Sequence, residues 1–156
     1  MKKTLWLWLL PLLTGCDPAR MYENYNNFTG QCWPAAEKPS FSFIITDTTT
    51  AYNLYANLRH DNRYAFANLY FTFTLSDSAN VLHRQLLTAD LYDRKSGRPL
   101  GSSGLGYIFS HRIALLRQYR FKAPGTYSLQ LEHFMRTDTL CGIRSVGLRI
   151  ERFKSP

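Results

Sequence analysis

Residues 69–75 alternate without a break: Leu69, Phe71, Phe73 and Leu75 are apolar, and Tyr70, Thr72 and Thr74 between them carry hydroxyls. A period of two puts the two sets on opposite faces of an extended chain, whereas an amphipathic helix needs a period near 3.6. The segment is therefore a strand with one buried face. The pattern recurs along the chain. Phe41, Phe43 and Ile45 share one parity, and residues 52–59 place Leu54 and Leu58 opposite Tyr55. Tyr127, Leu129 and Leu131 alternate with Ser128, Gln130 and Glu132, and Val146, Leu148 and Ile150 point inward with Arg149 and Glu151 outward. Residues 81–92 fit both periods, and the alternation of Leu87, Ala89 and Leu91 favours a strand over 87–92. Residues 108–116 and 119–121 complete the strand set, and a helical turn is expected near 133–139.

Asp47-Thr48-Thr49-Thr50, Asp77-Ser78-Ala79-Asn80 and Pro124-Gly125 supply turns, and residues 93–106 form a long connection rich in Gly and Ser. Seven to eight short strands without a long helix predict an all-β fold, an antiparallel β-sandwich of jelly-roll-like type over residues 41–156. A chain of 156 residues that is 45% hydrophobic and 19% charged is sized and composed for one packed domain.

The first 15 residues read as an address. Lys2 and Lys3 precede the apolar run from Leu5 to Leu10, which gives the charged and apolar regions of a secretory signal. Leu13-Thr14-Gly15-Cys16 resembles the bacterial lipoprotein box, where small residues precede an obligatory cysteine. That resemblance implies lipid attachment at the Cys16 thiol and cleavage after residue 15. Residues 16–40, rich in Asp, Asn, Pro and Gly, then read as the lipidated N-terminus and a tether that ends by packing Trp33 or Tyr22 on the domain. Loss of Lys2 and Lys3 lowers the formal charge from +8 to +6. The remaining basic residues form no run of five, and an exported chain does not meet nucleic acid, so nucleic-acid binding is excluded.

The chemical motifs are sparse. Gly101-Ser102-Ser103-Gly104-Leu105-Gly106 lacks the Gly-Lys-Ser/Thr ending that a phosphate loop needs, and is a sheet connection. His60, His83, His111 and His133 never come at metal-ligand spacing, and His60-Asp61 reads as a loop tip. No Gly-x-Ser-x-Gly elbow occurs. No catalytic residue, metal site or cofactor is assigned. Cys32 and Cys141 are candidates for a disulfide or for two free thiols. A bridge would close a loop of about 110 residues and stabilise by about 4 to 5 kcal/mol in the chain-entropy treatment. Tyr52, Tyr55, Tyr64, Tyr70, Tyr107 and Tyr119 could be core filling or a stacking platform for sugars.

Read in order, a series of short pieces resembles the GldH family of gliding-motility lipoproteins from Bacteroidetes. They are Cys16-Asp17-Pro18, Tyr22-Glu23, Trp33, residues 41–47, Tyr52-Asn53-Leu54-Tyr55, Leu58-Arg59 and Asn68-Leu69-Tyr70. Further along come Leu91-Tyr92-Asp93, Gly97, Leu100-Gly101, Gly104-Leu105-Gly106, Phe121, Gly125-Thr126-Tyr127, Met135-Arg136, Leu140, Gly142-Ile143 and residues 146–150. Two departures stand out: no aromatic residue shortly before Leu100, and Cys141 where the family commonly has Pro. The resemblance implies a non-enzymatic accessory lipoprotein of the gliding and associated protein secretion machinery, anchored in the outer membrane and contacting other envelope proteins there. The partner surface is expected on the Gly-rich connection (Gly101, Gly104 and Gly106) with Arg63 and Arg136. A rival reading is a glycan-binding surface lipoprotein.

Overall fold

The computed structural model describes residues 17–104 and 106–154; the leader and Cys16 lie outside the described residues. Eleven strands follow in order: β1 (Arg20–Asn27), β2 (Cys32–Pro34), β3 (Ser40–Ile45), β4 (Tyr52–His60), β5 (Asn68–Ser76) and β6 (Val81–Asp90) come first. They continue with β7 (Ser102–Ser103), β8 (Phe109–Tyr119), β9 (Gly125–His133), β10 (Thr139–Cys141) and β11 (Ile143–Arg152). One sheet has the order β1-β11-β4-β8-β7 and the other β3-β9-β5-β6, while β2 and β10 form a small pair. All pairings are antiparallel. Leaving aside the three shortest strands, the first long strand pairs with the eighth, the eighth with the third and the third with the sixth. The second, seventh, fourth and fifth make the other sheet. That is the strand order of a jelly roll.

The inward parities are those the alternation predicts. Leu54, Ala56 and Leu58 of β4 and Val146, Leu148 and Ile150 of β11 face Leu69, Phe71, Phe73 and Leu75 of β5 and Leu129 and Leu131 of β9, all buried. Aromatic rings fill the two ends of this core. Tyr52, Phe43, Phe121 and Tyr127 pack together at one end, and Phe28, Trp33 and His133 at the other.

Four expectations are corrected. Residues 20–40 are not a tether: β1 runs along β11 from Arg20 opposite Glu151 to Asn27 opposite Ser145, so the sandwich begins at Arg20. Tyr22 meets Phe43 at 5.8 Å and closes the sandwich edge. In place of the strands expected over 108–116 and 119–121 there is one strand, β8, which ends at Tyr119 and leaves residues 120 and 121 outside it, and the segment near 133–139 holds no helical turn. Strand β6 also begins earlier than expected, at Val81.

The register sorts the connections into two ends. Residues 28–39, 61–67, 91–108 and 134–142 meet where β4 stops at His60, opposite Phe109 and Ile143, and where β5 starts at Asn68, opposite Asp90. Residues 17–19, 46–51, 77–80, 120–124 and 153–154 lie at the other end, where Tyr52 faces both Arg152 and Tyr119 and Ile45 faces Gly125. The chain enters at this second end, called the entry end below; the first is the far end.

Candidate functional site

The far end is organised by His60 and Asp61, both buried. His60 continues the inward parity of Leu54, Ala56 and Leu58, so it points into the molecule and not from a loop tip. Its Nδ1 lies 3.2 Å from the Asp61 carbonyl, which can only accept, so Nδ1 carries the proton. Nε2 of His60 then accepts from Nε2–H of His111 at 3.0 Å. Burial pushes both imidazoles down, that of His111 to about 4 with help from His60, which keeps the pair neutral at pH 7.

Asp61 ties three segments together. It accepts from the Arg63 backbone N–H at 3.0 Å, from Arg63 Nη2 at 2.8 Å and from Arg144 Nε at 3.0 Å, and Arg63 also donates to Gln31. Burial raises the Asp61 carboxyl, but the bonds from Arg63 and Arg144 outweigh it and hold the group at about 2. Cys32 and Cys141 sit opposite each other in the β2–β10 pair, joined as a disulfide. The far-end loops are thus clamped by an ionic cluster and a cross-strand bridge.

A groove opens on the outer face of the five-stranded sheet beside this end. Gly147 has no side chain, and the Tyr25 ring crosses over it: a Cβ there would lie 2.6 Å from Tyr25 Cδ1. The Tyr25 hydroxyl donates to Glu23 at 3.0 Å and accepts from Asn57 Nδ2 at 2.8 Å. The Arg59 guanidinium stacks on Tyr25 at 4.8 Å, and that of Arg112 on Tyr55 at 5.6 Å. Glu151 steadies Arg112 at 3.2 Å, while Arg59 makes no ion pair among the described residues. Tyr25, Asn57, Arg59 and Arg112 share a cavity of about 430 Å³ with Ser102, Ser110 and His111. Two oriented guanidiniums beside hydroxyls suit an anionic group better than an apolar one.

The residues expected as a partner surface all lie at the far end, in different roles. Arg63 is half exposed and bound to Asp61. Gly101 backs onto the histidine pair, since a Cβ would come within 2.8 Å of the His111 ring and 2.7 Å of Ser110 O. Gly104 and Gly106 are exposed, as is Arg136 in the β9–β10 loop. Among the described residues no hydrogen bond joins Arg136 to Arg63 or to the Gly-rich connection. The six tyrosines form no platform: Tyr52 and Tyr64 are buried, and none of the six stacks on another among the described residues. Sequence reasoning missed Tyr25, Asn57 and Arg149. The outward parity of Arg149 was visible, but its burial under β1 was not.

A family model described as GldH lipoprotein matches residues 20–150. The gliding motility lipoprotein GldH of Flavobacterium johnsoniae is 27% identical over 149 residues, covering 90% of this chain and 90% of its own. The gliding motility lipoprotein GldH homolog of Christiangramia forsetii is 24% identical over 155 residues, covering 95% of this chain and 93% of its own. The family match starts at the first residue of β1 and stops near the end of β11, so it takes in the whole sandwich, and the chain belongs to the GldH lipoprotein family.

Proposed function

We propose that this protein is a non-enzymatic accessory lipoprotein of the gliding motility and associated protein secretion machinery, held in the outer membrane by lipid on Cys16. One observation carries the reading: the family match runs from the first residue of β1 into β11 and so takes in the eight long strands of the scaffold. An anchored scaffold acts by confinement. Restricting two proteins to one membrane raises their effective concentration, so a weak contact at a rigid surface is enough.

The partner surface is the far end, comprising the Gly-rich connection, Arg63, Arg136 and the groove between Arg59 and Arg112. Its cations favour a partner that presents carboxylates, because each guanidinium offers a planar fork of donors. Affinity purification of the anchored protein after crosslinking tests this. Arg63→Glu with Arg136→Glu, and Gly104→Trp separately, should each lose envelope proteins that the parent captures. Unchanged capture by both variants would refute the surface.

A further inference from the structure

We infer that the sandwich stands end-on upon an anionic lipid surface, with residues 46–51, 120–124 and 152–154 against the headgroups. The inference rests on the reading of Cys16 as the lipid-bearing residue.

The leash is too short for any freer arrangement. Asp17, the residue after Cys16, is already part of the fold: its carboxylate pairs with Arg149 in the sheet and accepts from the Ala19 N–H at 3.1 Å. Its carbonyl accepts from the Arg20 N–H at 3.2 Å, and Arg20 opens β1. Only three residues separate Cys16 from the sheet, and they are folded into a turn. Fully extended they would span roughly 10 Å, and turned they span less. Acyl chains that start there bring the entry end of the sandwich to the membrane.

That end carries matching charge. Arg117, Arg120, Lys122, Arg152 and Lys154 are exposed, and none makes an ion pair among the described residues. Of the carboxylates beside them, Asp17 and Glu151 pair with Arg149, while Asp47 and Asp77 keep their charge within their own turns, so the five cations outnumber the unpaired carboxylates. Asp47 accepts from the hydroxyls of Thr49 and Thr50 at 2.6 Å each, and Asp77 from the backbone N–H groups of Ala79 and Asn80 at 2.8 and 2.7 Å. The loops are also braced against each other, with Arg120 donating to the Thr49 carbonyl and the Phe153 N–H to the Ala51 carbonyl at 2.8 Å. A rigid, cationic end beside a lipid anchor complements anionic headgroups. Strands of nine to ten residues then carry the far-end loops about 30 Å from the surface.

The test is hydrogen exchange of the acylated protein in phosphatidylglycerol and in phosphatidylcholine vesicles. Amides in 46–51 and 120–124 should exchange several-fold more slowly in phosphatidylglycerol. The difference should vanish in 0.5 M salt, roughly three times physiological ionic strength. It should vanish also in a variant carrying Arg120→Glu, Lys122→Glu and Lys154→Glu, while 61–67 and 134–138 stay unchanged throughout. Slowing at 61–67 or 134–138, or equal rates in the two lipids for the parent protein, would overturn the inference. Intact mass separates the two ideas: acyl mass on Cys16 together with equal exchange in the two lipids overturns the docking face alone, whereas an unacylated mature protein removes the Cys16 reading and the docking face with it.

Discussion

Replacing Arg149 with Met tests how the entry strand is held. Only 8% of the Arg149 side chain is exposed, and it pairs with Glu23 at 3.0 Å and with Glu151 at 2.6 Å, carboxylates that are themselves 17% and 16% exposed. Removing one partner of a buried ion pair costs about 3 to 5 kcal/mol, because the other is left uncompensated. Here the carboxylates keep other donors: Glu23 retains Arg20, Tyr25 and Asn57, and Glu151 retains Arg112. The lower limit therefore applies, about 3 kcal/mol. With a urea m-value of about 2 kcal/mol/M, the midpoint should fall by about 1.5 M. The pH dependence has a definite sign. Burial raises the Glu23 carboxyl, but the bonds from Arg20 and Tyr25 and the Arg149 charge outweigh it and leave it below its ordinary 4.5. A depressed carboxyl stabilises fully above its unfolded value and loses that contribution as pH falls through the folded one. The gap between parent and variant should thus be constant above pH 4.5 and shrink below it. A gap under about 1 kcal/mol at pH 7, typical of an exposed pair, or one that persists unchanged to pH 2, would refute the reasoning.

Three further outcomes are expected. Cys32→Ser with Cys141→Ser opens a bridge across 109 positions and should cost about 5 kcal/mol in urea unfolding, with two titratable thiols in the oxidised parent as the contrary result. Gly147→Ala would meet the Asn24 carbonyl as well as the Tyr25 ring at 2.6 Å, so β1 must shift with the ring, and the change should cost about 1 to 3 kcal/mol with an altered near-ultraviolet tyrosine signal. His60 and His111 are both held neutral by burial, so stability should fall as pH drops from 6.5 towards about 4, and His111→Gln should flatten that limb of the urea-midpoint profile.

Most of the sandwich was legible because its long strands bury one face and wet the other, as 69–75 shows. Strand β1 was not, because its outward positions hold Glu23 and Tyr25, which are half-buried and held by hydrogen bonds and ion pairs instead of by apolar contact. Strand β8 read as two pieces because its register against β4 slips on either side of Leu116 and Gln118 takes a φ of 51°, which breaks the alternation. His60 was legible in principle, since it extends a buried parity, but a His-Asp pair beside a turn resembles a loop. The groove was not legible at all. Tyr25, Gly147, Asn57 and Arg112 come from four strands, and only their register brings them into one row.

The most direct test places a photoreactive residue in the living cell at one of two positions, Gly104 at the far end or Lys122 at the entry end. End-on docking predicts protein adducts from position 104 and lipid adducts without protein from position 122. Protein adducts at position 122 with none at position 104 would contradict it.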